Sequence, residues 1–86
     1  MSTKFPPLPD GYFFRVDDLL GAPVLRIQKN GFLGSKTAEL VWIDEEDQNP
    51  EGLVRVGEYL KSRLLEKLET SDFIEKFAGD YPPKEL

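Results

Sequence analysis

The chain contains no cysteine and no histidine among its 86 residues. The first absence excludes a disulfide framework, thiol redox chemistry and a thiolate nucleophile. The second removes the commonest general base and, together with the first, every Cys/His zinc site. Any metal would have to be held by oxygen. Long hydrophobic runs are also lacking. Nothing approaches the ~18 apolar residues of a membrane span, and no basic start with an apolar stretch behind it marks a secretory leader. These absences predict a soluble, unprocessed chain in the cytoplasm, with no membrane partner.

What is present suffices for one domain over residues 1–86. Hydrophobic residues make up 40% and aromatics 12%, and a chain of this length buries roughly 60 to 70% of its unfolded surface. The net charge of −5 is unevenly spread. Residues 1–43 hold five bases against four acids, whereas residues 44–86 hold six bases against twelve acids. An overall acidic balance argues against non-specific nucleic-acid binding, which draws its affinity from many Lys and Arg contacts to phosphate.

Pro6, Pro7 and Pro9 around Leu8 predict an extended arm over residues 1–9. Such a string can serve as a ligand for aromatic-grooved modules, or it can pack on its own domain through Phe5 and Leu8. From residue 10 to 44 the pattern predicts a three-stranded antiparallel meander. The strands are Tyr12 to Val16, Val24 to Lys29 and Lys36 to Asp44, with Asn30-Gly31 as a strong hairpin signal.

Register carries a functional consequence. A two-residue Asn30-Gly31 turn puts Trp42 on the inner face with Leu25 and Ile27, and puts Glu39 opposite, beside Arg26. A loop from Lys29 to Ser35 changes parity and moves Trp42 outward, and a bulge at Gly34 could correct either register. The expectation is an inward Trp42, because an exposed Trp beside Leu40 would form a sticky patch.

A helix is predicted over residues 49–69. Asn49 is a good N-cap, Pro50 suits the first helical position, and Leu53, Val56, Leu60, Leu64 and Leu68 recur at helical spacing. Gly57 within this stripe implies close approach to the sheet. Thr70 to Asp72 re-caps the chain for a short second helix over 71–78, followed by a Pro-rich tail over 79–86. The fold class is thus α+β: a three-stranded antiparallel sheet packed by one long C-terminal helix, then a short one, with Pro-rich arms at both ends.

Several constellations bear on function. Asp47, Asn49, Glu51 and Glu58 fall at positions of a calcium-loop template. Pro50, and a strand where the incoming helix should be, instead suit a capped strand-to-helix connection. No cofactor is expected. Phe13, Arg15, Arg26 and Gln28 are predicted on one sheet face and are the candidate partner-binding residues, since Phe with Arg is enriched in interfaces. Phe13 could equally be covered by the arm, by Phe32 or by the C-terminal segment. Aromatics interleaved with bases also stack single-stranded nucleic acid, which makes this face the alternative nucleic-acid site. The acidic half could mimic nucleic acid, yet Lys61, Arg63 and Lys67 break it into ordinary helix-surface pairs. Catalysis has little support: the serines lack a base, no Gly-rich phosphate loop precedes a helix, and the carboxylates do not face one another. The chain is read as no enzyme.

At LPDGYFFRV (residues 8–16) and GDYPPKEL (residues 79–86) the chain resembles small uncharacterised proteins of actinobacterial phages. The resemblance implies no established activity and no site residues. It implies a context, namely the cytoplasm of a bacterial host. The expected function is non-enzymatic protein–protein binding, with homo-oligomer formation through the sheet face or an open edge.

Overall fold

The computed structural model describes residues 4–79. Three strands, β1 (Tyr12–Leu19), β2 (Ala22–Lys29) and β3 (Lys36–Trp42), form one antiparallel sheet in the order β1-β2-β3. A 3-10 turn at Glu45–Asp47 leads into a single helix, α1 (Pro50–Phe77). The α+β class and the meander are as the alternation of residues predicts. Residues 1–3 of the arm and 80–86 of the tail lie outside the described residues.

The tight turn of the sheet sits elsewhere than Asn30-Gly31. Leu19 pairs with Ala22, so Leu20 and Gly21 alone connect β1 to β2. Both have positive φ, 55° and 83°, the geometry whose twist matches a right-handed hairpin. Between β2 and β3 the last pair is Lys29 with Lys36, leaving the six-residue loop 30–35. Six residues keep the parity of two, so the loop alone would still turn Trp42 inward. The register changes further along. Gln28 pairs with Thr37 but Ile27 pairs with Glu39, leaving Ala38 as the extra residue of a β-bulge. Beyond it Trp42 pairs with Val24 and Leu40 with Arg26. Trp42 therefore lies on the outer face, 48% exposed. This corrects the inward expectation, and the bulge lies at Ala38, not Gly34.

The same shift turns Glu39, Val41 and Ile43 toward α1. Leu25, Ile27, Ile43, Leu60 and Leu64 form the buried cluster, with Phe14, Val41, Leu53 and Val56 packed around it. Phe5 and Leu8 of the N-terminal segment join this packing, and Phe5 stacks on Phe14 at 4.5 Å. The segment thus covers its own core. Glu39, at 12% side-chain exposure, is clamped by Arg63 (3.2 Å) and Lys67 (3.4 Å) from α1. Lys67 Nζ also donates to the Ala38 carbonyl at 2.9 Å, occupying an acceptor that the bulge takes out of the ladder. The Tyr59 hydroxyl and then Glu39 hold the Arg63 guanidinium above its ordinary value.

The helix begins as its sequence dictates: Asn49 Oδ1 accepts from the Gly52 N–H at 2.8 Å, and Pro50 opens the first turn. It does not break at Thr70 to Asp72. The expected second helix is the continuation of α1, because no Gly or Pro interrupts and local pairs carry the turns onward. Lys76 reaches Asp72 at 3.1 Å, and the Phe73 and Phe77 rings lie 5.0 Å apart, both at the i, i+4 spacing that stabilises helices. The helix ends where Gly79 takes φ 134°. At 28 residues it runs about 42 Å, longer than the sheet, and its last turns overhang. The radius of gyration of 16.7 Å accordingly exceeds the roughly 12 Å of a compact domain this size.

Two helix glycines have different tolerances. A Cβ on Gly57 would sit 2.6 Å from Phe5 Cδ1 and 3.5 Å from Phe14 Cζ of β1, so the close approach is to the sheet, as expected, and more tightly still to the N-terminal segment. A Cβ on Gly52 would meet Asp47 backbone atoms at 2.5 Å, which cannot rotate away. Gly52→Ala is expected to destabilise by about 2 kcal/mol or more, as overpacking does. Gly57→Ala should cost less, because Phe5 can yield and Ala regains about 1 kcal/mol of helix propensity. Parallel urea titrations will rank the two.

Candidate protein-binding face

The four residues singled out from the sequence form two cross-strand pairs. Phe13 sits opposite Gln28 and Arg15 opposite Arg26, all on the sheet face away from α1. Alternation along β1 and β2 puts them there, and the pairing register lines them up. The face continues across β3 through Leu40, opposite Arg26, and Trp42, opposite Val24. Val24 is fully buried between its partners Asp17 and Trp42, apart from the core cluster on the other side of the sheet. Trp42 joins the face in the outward register that the sequence offered only as the alternative, and Leu40 comes with it. Only the parity change at Ala38 brings them here, and a bulge leaves little mark in a sequence.

Two arginines directly opposite one another repel. Asp17 relieves this: its Oδ2 lies 3.4 Å from Arg26 Nε and 3.9 Å from Arg15 Nε. Arg26 Nη1 also donates to Thr37 Oγ1 at 3.0 Å, and only 18% of the Arg26 side chain is exposed. Arg26 is therefore a tethered, flattened group, whereas Arg15 remains largely in solvent. Gln28 Oε1 is buried with no hydrogen-bond partner among the described residues. An acceptor left in that state costs about 1–3 kcal/mol. Phe13 is half-buried, and Phe32 does not cover it, since Phe32 is fully exposed on its own loop.

The calcium-loop pattern is not assembled. Asn49 caps α1, Asp47 Oδ1 holds Arg55 Nη2 at 3.1 Å, and Glu51 and Glu58 lie exposed on the helix. A chain that is helical from Pro50 onward cannot wrap a cation as a loop would. The acids that do converge are Asp44, Glu46 and Asp47, whose nearest carboxylate oxygens lie within 4.8 Å of one another. Asp44 and Glu46 are exposed, and Asp47, partly buried, is already paired with Arg55.

Two outcomes follow. Trp42, the one tryptophan, should emit at the long wavelengths of a solvated indole and be quenched readily by acrylamide; a blue-shifted, protected signal would contradict the bulged register. Millimolar calcium should leave the Tm unchanged, whereas saturating a site at a hundred times its Kd would raise stability by about 2.7 kcal/mol. No protein family, no curated protein and no solved structure matches the chain.

Proposed function

We propose that the chain acts by binding another protein through the uncovered sheet face, with Phe13 and Trp42 as apolar anchors and Arg15, Arg26 and Gln28 as polar contacts around them. The observation that carries this reading is the state of the arginines. Arg26 is tethered to Asp17 and Thr37, and the Asp17 carboxylate sits in the middle of the patch. Phosphate would meet that carboxylate and find one largely exposed guanidinium, Arg15, itself 3.9 Å from Asp17, in a molecule of net charge −5. A protein surface meets two aromatic side chains, a neutralised centre and a buried acceptor that a donor would satisfy. Aromatic and Arg groups on a largely apolar patch are the side chains that dominate protein interfaces.

The resemblance to phage proteins supports a bacterial cytoplasm as the setting and a host or phage protein as the partner. The carboxylate of the patch, Asp17, is engaged by Arg26 and Arg15, and the role proposed is non-enzymatic. Nucleic-acid binding by the same face is the alternative, and salt separates the two. Protein binding should persist between about 50 and 200 mM salt, where affinity resting on several phosphate contacts falls by orders of magnitude. Affinity capture at the higher salt should therefore retain the partner, and Phe13→Ala or Trp42→Ala should weaken it about 30-fold, the mark of an interface anchor. Binding lost with salt but unaffected by Phe13→Ala would favour nucleic acid.

A further inference from the structure

The ends of the sheet differ in a way that the proposed face does not use. At one end the β2–β3 loop carries Phe32 and Leu33, 101% and 95% exposed, so neither rests on the rest of the chain. Two adjacent, wholly solvated apolar side chains at a hairpin tip are a cost unless something receives them. Below them Lys29 and Lys36 are direct cross-strand partners, a like-charge pairing that also costs stability. Among the described residues no carboxylate is within ion-pair distance of either, and Lys29 leans over the Tyr12 ring. Residues 29–36 contain no acid; the exposed Asp10 lies two residues before Tyr12, the partner of Lys29.

At the opposite end, one length of β3 away, a cleft of about 310 Å³ opens between β3 and the first turns of α1. Its walls are Val41, Trp42, Val56 and Tyr59, and its rim carries Asp44 and Asp47 with Arg55. Arg55 answers Asp47. Asp44, with Glu45 and Glu46 beside it, has no ion pair among the described residues. The volume is at the lower end of sites that accept a compact apolar group, roughly 300 to 1,000 Å³.

We infer that the chain self-associates head to tail, the Phe32-Leu33 tip of one copy entering the Val41/Trp42/Val56/Tyr59 cleft of a second. Lys29 and Lys36 then face the carboxylates of Asp44 and Glu46, relieving both like-charge clusters in one contact. The tip cannot reach its own cleft, because β3 separates them by about 23 Å. The contact joins different surfaces of two copies; made in succession rather than exchanged reciprocally within one pair, as we infer, it generates a ring or an open chain. It shares Trp42 with the Phe13 face but needs neither Phe13 nor the arginines.

The test uses sedimentation over a concentration series at low ionic strength, with two variants. Phe32→Ser/Leu33→Ser removes the tip, and Asp44→Lys/Glu46→Lys removes the complementary rim; all four side chains are exposed, so the fold should persist by circular dichroism. Wild type should grow beyond a dimer with concentration. Each variant alone should associate about 30-fold more weakly, while an equimolar mixture should form a 1:1 complex and nothing larger, since one copy contributes an intact tip and the other an intact cleft. Phe13→Ala should behave as wild type. A wild type that is monomeric at high micromolar concentration would overturn the inference. So would a closed dimer, a mixture that fails to pair, or association that survives loss of the tip and disappears with Phe73→Ser/Phe77→Ser on the helix overhang.

Discussion

The extra residue at Ala38 is the constraint from which the rest of this molecule follows. Side chains alternate along a strand with period two, so one inserted residue exchanges the faces of everything beyond it. Past Ala38 the chain offers Glu39, Val41 and Ile43 to the helix and Leu40 and Trp42 to the outside. Without the bulge, Leu40 and Trp42 would face the helix in place of Val41 and Ile43. The helix in turn secures the bulge: Lys67 occupies the Ala38 carbonyl, and Arg63 and Lys67 hold the neighbouring Glu39. Core packing and surface chemistry are thus two consequences of one local irregularity.

This is also where legibility in the sequence ended. The strands, the Asn49 cap with Pro50, and the Leu60 and Leu64 stripe were readable because each depends on neighbours in the chain. The grouping of Phe13, Arg15, Arg26 and Gln28 was readable because β1 and β2 are joined by a two-residue turn with no bulge, so alternation survives across the pair. The placement of Trp42 was not. Asn30-Gly31 is a strong turn signal, yet the tight turn formed at Leu20-Gly21, where the Leu19–Ala22 pair closes it. The re-capping motif at Thr70 to Asp72 misled for a related reason. Hydroxyl and carboxylate side chains cap a helix only when the backbone leaves it, and here the Phe73–Phe77 and Asp72–Lys76 pairs keep it helical.

The charge distribution takes its meaning from this topology. A chain that is acidic in total has Lys29 and Lys36 at the base of one loop, Asp44, Glu45 and Glu46 at the entry to α1, and an outer face on which Asp17 offsets Arg15 and Arg26. Each region asks for a different kind of contact. Aromatic side chains are the common element, with Phe32 at the tip, Phe13 on the face and Trp42 where the face meets the far cleft.

The overhang of α1 has a consequence of another kind. The helix is one continuous element, but its two parts are secured by different means: Leu53 to Leu64 by the sheet, the final turns by local pairs each contributing about 0.2–0.5 kcal/mol. Opening the distal turns therefore requires only a fraction of the free energy needed to unfold the domain. A single helix thus holds two grades of anchorage, a proximal part buried on the sheet and a distal part exposed around its circumference.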